Sequence, residues 1–199
     1  MNTNPLMYLA SSSPRRAELL AQIGIEFEVV RFAINESPQS NESAESYVSR
    51  MSHEKAQVGL RITASAAINA DWPVLAADTI VVSNGEILGK PESQQQGIEM
   101  LSKLSNATHR VLTAVALASG GGKIETICVA TDVMFREITP SEMNAYWHSG
   151  EPQDKAGGYG IQGLGAVFVS RIEGSYSNVV GLPLQETAKL LESVQIRCL

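Results

Sequence analysis

The sequence predicts an α/β fold with a mixed sheet, and three observations carry that prediction. Apolar stretches with the period of strands alternate along the chain with stretches of helical period. The most apolar stretch, Pro73-Val74-Leu75-Ala76-Ala77-Asp78-Thr79-Ile80-Val81-Val82, is nearly continuous, as expected of a central strand. Val111 to Ala118 and Ile124 to Phe135 are two long strand-like runs joined by Ser119-Gly120-Gly121-Gly122, which predicts an antiparallel hairpin.

Taken in order, Leu6 to Ala10 reads as a short strand that ends in three hydroxyl residues, Ser11, Ser12 and Ser13. The short extension before Leu6 is expected to be disordered. Ser13 suits a helix N-cap and Pro14 the first helical position, where a missing N–H costs nothing. The helix runs through Ala17, Leu19, Leu20 and Ile23, with Gly24 as its C-terminal cap. Phe27 to Val30 alternates like a strand and leads into a polar stretch, Asn35 to Asn41. Glu42 to Leu60 then has helical spacing, with Tyr47, Val48, Met51 and Val58 on its apolar side. After the central strand, Asn84-Gly85 makes a turn into a short return strand and loop over Ile87 to Pro91. Ser93 to Leu104 is a helix with Ile98, Leu101 and Leu104 inward. Beyond the hairpin, Pro140 to His148 is a helix capped by Thr139, Gly150 to Gly165 is a glycine-rich polar segment, and Ala166 to Val169 is a strand. Pro183 to Val194 closes the chain as a helix. The absence of repeats, linkers and low-complexity tracts predicts one domain over residues 1–199.

Composition narrows the function. The chain has 199 residues, 44% hydrophobic and 18% charged, which is ordinary for a soluble globular protein. A net charge of -6 argues against an extended nucleic-acid surface but permits a small anion held by a few local cations. Cys128, in a strand-like run, is expected to be a buried thiol, and it and Cys198 suggest neither a disulfide framework nor a zinc site. No segment reads as a membrane span or a targeting signal, so a reduced cytoplasmic setting is the default.

Arg15 and Arg16 pose the first chemical question. Two cations in a first turn oppose the helix macrodipole. They are either a solvated helix end or, with the hydroxyls and backbone N–H groups there, a phosphate site. Asp78 poses the second, because a carboxylate in a buried strand must lie at a strand end, pair with a cation, cap a helix or hold a metal. The carboxyl end of a strand is where α/β sheets keep ligands. Glu36 is a possible second carboxylate, and Lys55 and Lys90 gain meaning only if they converge on the arginines. Asp154-Lys155-Ala156-Gly157-Gly158-Tyr159-Gly160 sets a charge pair before a loop able to approach a ligand closely. Gly158 to Gly163 matches GxGxxG literally, but no strand precedes it, so a dinucleotide fold is not indicated. No P-loop or GxSxG occurs, and His53, His109 and His148 have no metal-binding spacing.

Five ordered blocks then carry a resemblance. They are Leu9-Ala-Ser-Ser-Ser-Pro-Arg-Arg16, Ala77-Asp-Thr79, Leu88-Gly-Lys-Pro91, Asp154-Lys-Ala-Gly-Gly-Tyr-Gly-Ile-Gln-Gly163 and Gly174-Ser-Tyr-Ser-Asn-Val-Val-Gly-Leu-Pro183. Over essentially its whole length the chain resembles the Maf family of nucleoside triphosphate pyrophosphatases. That resemblance implies an elongated, inosine triphosphate pyrophosphatase-like sheet flanked by helices, with two lobes and a central cleft, and a homodimer. It implies hydrolysis of a nucleoside triphosphate to the monophosphate and pyrophosphate, assisted by Mg²⁺ or Mn²⁺. Asp78 falls on the proposed catalytic base, Glu36 and Asp78 on metal-side positions, and Ser11, Arg15, Arg16, Lys55 and Lys90 on phosphate-side positions. Lys155 is placed with the substrate-binding residues as part of its block. Arg15, Thr79 and Gln162 occupy the positions at which the family's subgroups differ, and this combination resembles the subgroup acting on dTTP and UTP. A Gln162 amide can donate to a uracil or thymine carbonyl while accepting from the ring N3–H, a pattern that cytosine reverses. Hydrolysis of 7-methyl-GTP and nucleotide sensing in division control are the alternatives that the resemblance leaves open.

Overall fold

The computed structural model describes residues 7–65, 69 and 71–198. Leu6, where the first strand was expected to begin, and the extension before it lie outside the described residues. Strands β1 (Met7–Leu9) and β2 (Phe27–Val29) flank helix α1 (Pro14–Gln22), and α2 spans Ala44–Ser65. Strands β3 (Val74–Ser83) and β4 (Glu86–Leu88) precede α3 (Gln94–Leu104). The long pair β5 (Thr108–Ala118) and β6 (Ile124–Phe135) leads to α4 (Pro140–His148). Strand β7 (Val169–Glu173), α5 (Tyr176–Val180) and α6 (Leu184–Glu192) complete the chain. The strands form one sheet in the order β2-β1-β3-β5-β6-β7, with β4 paired to β3. β1 pairs parallel to β2 and to β3, whereas β4 on β3 and β7 on β6 are antiparallel. The predicted mixed α/β sheet is therefore present.

The chain divides into two compact units. The first comprises residues 1–78, 113–129 and 181–199, and the second residues 79–112 and 130–180. Within the first unit, Tyr8, Ala10, Ala56, Val74, Ala76, Ala116 and Ala118 form a buried cluster. Small side chains there let α2 approach the sheet closely. A Cβ on Gly59 would stand 2.8 Å from Val74 Cγ1 and 3.0 Å from Ala10 Cβ. This explains why the buried stripe of α2 is Val48, Met51, Ser52, Ala56, Gly59 and Thr63, with Tyr47 and Val58 only half-buried. Helix α1 ends as predicted at Gly24. The Gly24 N–H donates to Ala21 O and the Ile25 N–H to Leu20 O, a closure that needs the positive φ of 73° at Gly24.

In the second unit, Thr139 caps α4 with a full capping box to Glu142, as the sequence predicts. Ser93 caps α3, its hydroxyl accepting from the Gln96 N–H. Two expectations fail. Residues 164–168 form a 3₁₀ turn, so the strand starts at Val169 rather than Ala166. The Arg136 N–H and Nε take the carbonyls of Phe168 and Val167, which leaves the Val167 side chain exposed. Cys128 is exposed, because it falls on the outward register of the alternation along β6.

Candidate active site

The turn from β1 into α1 sets the first part of the site. Ser13 occupies the N-cap with extended backbone, but its side chain makes no capping hydrogen bond. Ser11 is the hydroxyl in use. Its Oγ accepts from the Ser13 N–H at 3.2 Å and from Arg16 Nη1 at 3.2 Å. Arg16 Nε donates to the Gly181 carbonyl at 2.9 Å, so the guanidinium is held at two points. The first turn of α1 contains no acidic residue. Burial lowers the Arg16 pKa from its ordinary value. Asp78 opposes that shift, the neighbouring Arg15 adds to it, and Glu36 opposes it. Arg15, Arg16, Glu36 and Asp78 therefore share one electrostatic field within the first unit.

Lys55 on α2 completes the charge cluster. Its Nζ lies 2.6 Å from Asp78 Oδ1 and 2.7 Å from Glu36 Oε1. Asp78 sits on β3 just after Val74 to Ala77, all fully buried, at the point where the strand becomes half-buried. Of the roles open to a carboxylate in a buried strand, the structure shows pairing with a cation. The Lys55 and Asp78 side chains are 15% and 14% exposed and that of Glu36 is 53% exposed, so the pair is shielded on one side and open on the other.

Sequence reasoning missed the residues that hold Glu36 in place. The Tyr47 hydroxyl donates to the Glu36 carbonyl at 2.7 Å, and Arg50 Nη2 donates to the Ser37 carbonyl at 3.2 Å. Arg50 also grips Glu42 through Nε at 2.6 Å and Nη2 at 2.7 Å, and reaches Glu54 at 3.3 Å. The hydrogen bond from Arg50 holds the Glu42 carboxyl down at about 2. Burial raises the Tyr47 pKa, and the charges of Asp78 and Glu36 raise it further, so the phenol stays protonated. The spacing of Tyr47, Arg50 and Glu54 on one helical face was the available signal.

The remaining predicted residues belong to the second unit. Thr79 is half-buried on β3 and Lys90 is exposed after β4. The carbonyl of Gly89, beside Lys90, accepts from the Gly157 N–H at 2.9 Å. The Lys155 ammonium donates to the Glu151 carbonyl at 2.7 Å and to Asp154 Oδ1 at 2.6 Å, within its own turn. Gln162 is exposed at the tip of a turn between Gly160 and Gly163, where the Gly163 N–H donates to Gly160 O at 3.3 Å. What precedes the literal GxGxxG is a 3₁₀ turn over residues 156–158, not a strand.

Comparison with known proteins adds the family. The chain is 53% identical to the dTTP/UTP pyrophosphatase of Shigella boydii, over 94% of this chain and 92% of that protein. The dTTP/UTP pyrophosphatase of Escherichia coli O157:H7 is 53% identical, with the same coverage. A protein of Shigella flexneri named nucleoside triphosphate pyrophosphatase is likewise 53% identical, again over 94% of this chain and 92% of its own. Among solved structures, the Staphylococcus aureus Ham1 protein overlaps 96% of this chain and 91% of its own, at 15% identity and a TM-score of 0.46. The model of the family described as Maf-like protein matches residues 6–194. With so little of its length outside that match, the chain belongs to the Maf-like protein family.

Proposed function

We propose that this chain is a nucleoside triphosphate pyrophosphatase that hydrolyses dTTP and UTP, and modified pyrimidine triphosphates with the same base edge, to the monophosphate and pyrophosphate. The relatives named dTTP/UTP pyrophosphatase support the activity, and one observation carries the chemistry. A lysine ammonium lies between two carboxylates, and those carboxylates share a field with two arginines at a helix start. A triphosphate is an anion that backbone N–H groups and guanidiniums at a helix start are suited to receive.

In this reading water adds to the α-phosphorus, the bond from that phosphorus to the bridging oxygen breaks, and pyrophosphate leaves. Asp78 accepts the proton. Its Oδ1 is taken by Lys55, so Oδ2 is the oxygen that receives it. Lys55 orders the Asp78 carboxylate through that contact. Arg15 and Arg16 neutralise phosphate oxygens as charge builds on the leaving group, with Arg16 aimed by Ser11 and Gly181. Lys90 and Lys155 are assigned to the same substrate. The donor chemistry fits a hard divalent cation, because Glu36 and Asp78 offer only carboxylate oxygens converging on one point. Among the described residues no group of three or more His, Cys, Asp or Glu forms a fuller ligand set, and Mg²⁺ favours few carboxylates completed by water and phosphate. Glu36 and Asp78 would hold Mg²⁺ or Mn²⁺, which when bound supplies further neutralisation of phosphate charge and polarises water.

Gln162 is assigned to the base, with Arg15 and Thr79 completing the pattern of the dTTP/UTP subgroup. Its exposed amide is open to an incoming pyrimidine. The same reading carries a cytoplasmic homodimer, and no described helix is long and apolar enough to cross a membrane.

The test is a nucleotide panel with Mg²⁺ or Mn²⁺, read as pyrophosphate. Release from dTTP and UTP is expected, reduced about 10²–10⁴-fold in Asp78→Asn. Orthophosphate as product, preference for 7-methyl-GTP, or tight binding without turnover refutes the proposal. Gln162→Glu is expected to impair pyrimidine use with folding intact; equal loss on all nucleotides refutes the base-reading role.

A further inference from the structure

The turn that carries Gln162 is built around one carboxylate. Glu151 Oε2 accepts from the Leu164 N–H at 2.8 Å, and Oε1 accepts from the Gly165 N–H at 3.0 Å. The Tyr146 hydroxyl donates to the same Oε1 at 2.7 Å and accepts from the Gly160 N–H at 3.0 Å. Both ends of the turn, Gly160 on one side and Leu164 with Gly165 on the other, are therefore fastened to one clasp. The fit leaves no room for side chains on the glycines. A Cβ on Gly163 would overlap the Glu151 carboxylate, and one on Gly165 would stand 2.7 Å from the Tyr146 hydroxyl. Gln162 lies between the fastened ends with its own side chain exposed.

We propose that Glu151 is a positioning residue for nucleobase selection, its carboxylate fixing the 160–165 turn so that Gln162 presents its amide to a uracil- or thymine-type base. This rests on the pyrophosphatase reading above. An amide that must donate to one base atom and accept from its neighbour discriminates only if its backbone cannot drift, because a loose amide makes a poor bond to either base. Two N–H donors and one O–H donor on one anion form a clasp of charge-assisted bonds. Partial burial pushes the Glu151 pKa up. The Gly165 N–H, the Tyr146 hydroxyl, the Leu164 N–H and the Lys155 charge outweigh it and hold the carboxyl below its ordinary value.

The experiment uses the whole chain with Glu151→Gln, which keeps the shape but turns one accepting oxygen into a donor facing a donor. Hydrogen exchange is followed at the Leu164 and Gly165 amides. kcat and KM are measured for dTTP and dCTP. Exchange at those amides is expected to rise about tenfold or more. KM for dTTP is expected to rise with kcat changed less, and the dTTP-to-dCTP ratio of kcat/KM to fall several-fold. Tyr146→Phe keeps the carboxylate and removes the Gly160 link, and should shift the same quantities less far. Unchanged exchange in both variants overturns the proposal, as does faster exchange with an unchanged dTTP-to-dCTP ratio. If the unaltered chain releases no pyrophosphate from pyrimidine triphosphates, the reading above falls and this role falls with it. If the unaltered chain is selective and both variants are equally so, only this inference falls.

Discussion

Replacing Lys55 by methionine removes the cation that two carboxylates share. Asp78 Oδ1 and Glu36 Oε1 lie 2.6 and 2.7 Å from the same nitrogen, so they are no more than about 5 Å apart. Two unit charges at that separation repel by about 3 kcal/mol at an effective dielectric near 20. Glu36 is 53% exposed, and solvent screening reduces the figure to about 1–2 kcal/mol. Asp78, with 14% of its side chain exposed, also loses the partner that offsets its burial. The Lys55→Met chain is therefore expected to unfold about 1–3 kcal/mol more easily at neutral pH in the absence of divalent ions.

The assay is urea denaturation with and without Mg²⁺ or Mn²⁺. If the two carboxylates are the metal-side groups, removing their internal cation makes them a better site, and millimolar Mn²⁺ should restore more stability to the variant than to the parent. Turnover of dTTP should fall in the variant even where the metal restores stability, since Lys55 no longer orders Asp78. Equal stability of the two chains at neutral pH, with equal response to Mn²⁺, would refute the reasoning.

Further outcomes follow from the second unit. Burial lowers the pKa of His109 to about 4, against the opposing charge of Asp132. Because the folded pKa lies below the unfolded value near 6.5, the stability held by neutral His109 is full above that value and is lost as pH falls toward 4. It amounts to about 3 kcal/mol at most. His109→Phe should flatten the stability curve between about pH 6.5 and 4, as measured by chemical denaturation; a variant with the parent's slope there would count against a buried neutral imidazole. Gly157 has φ +68° and its Cβ would meet Val81 Cγ2 at 2.9 Å, whereas Gly85, at φ +80°, has open space around it. Gly85→Ala should cost about 1–2 kcal/mol from backbone strain alone. Gly157→Ala should cost about 2–5 kcal/mol, from strain plus overpacking. Equal losses in urea melts would show that Val81 yields without cost.

The alternation of strands and helices was legible because each element carries its own period, and the glycine, serine, proline and threonine residues at its ends mark where it stops. Errors arose where contacts distant in sequence override local pattern. Ala166 to Val169 has the composition of a strand, yet Arg136 takes the carbonyls of Val167 and Phe168 and ladder pairing begins at Val169. Ser13 has the right identity for a capping side chain, but the hydroxyl in use is that of Ser11, which bonds the Arg16 guanidinium. In the candidate site, Arg15, Arg16 and Asp78 were readable individually because each stands where its charge is unfavourable without a partner. Lys55 and Glu36 had no such mark, since a lysine on a helix and a glutamate in a polar loop are ordinary until the fold brings them together. Glu151 was hidden for the same reason, since its partners are backbone N–H groups and a phenol.

On the proposed reading, the charges of the first unit explain how an acidic protein can suit a polyanion. A chain whose net charge is -6 still gathers three cations, Arg15, Arg16 and Lys55, around Glu36 and Asp78. At physiological salt, charges beyond about 8 Å are largely screened, so in that reading an arriving phosphate responds to these cations and not to the charge of the whole chain. Lys55 joins that cluster, because its flexible stem carries a point charge with three donors and one ammonium serves two carboxylates from different parts of the chain, Asp78 and Glu36. An arginine at this position would engage one carboxylate as a planar fork, which gives a physical reason for a lysine here.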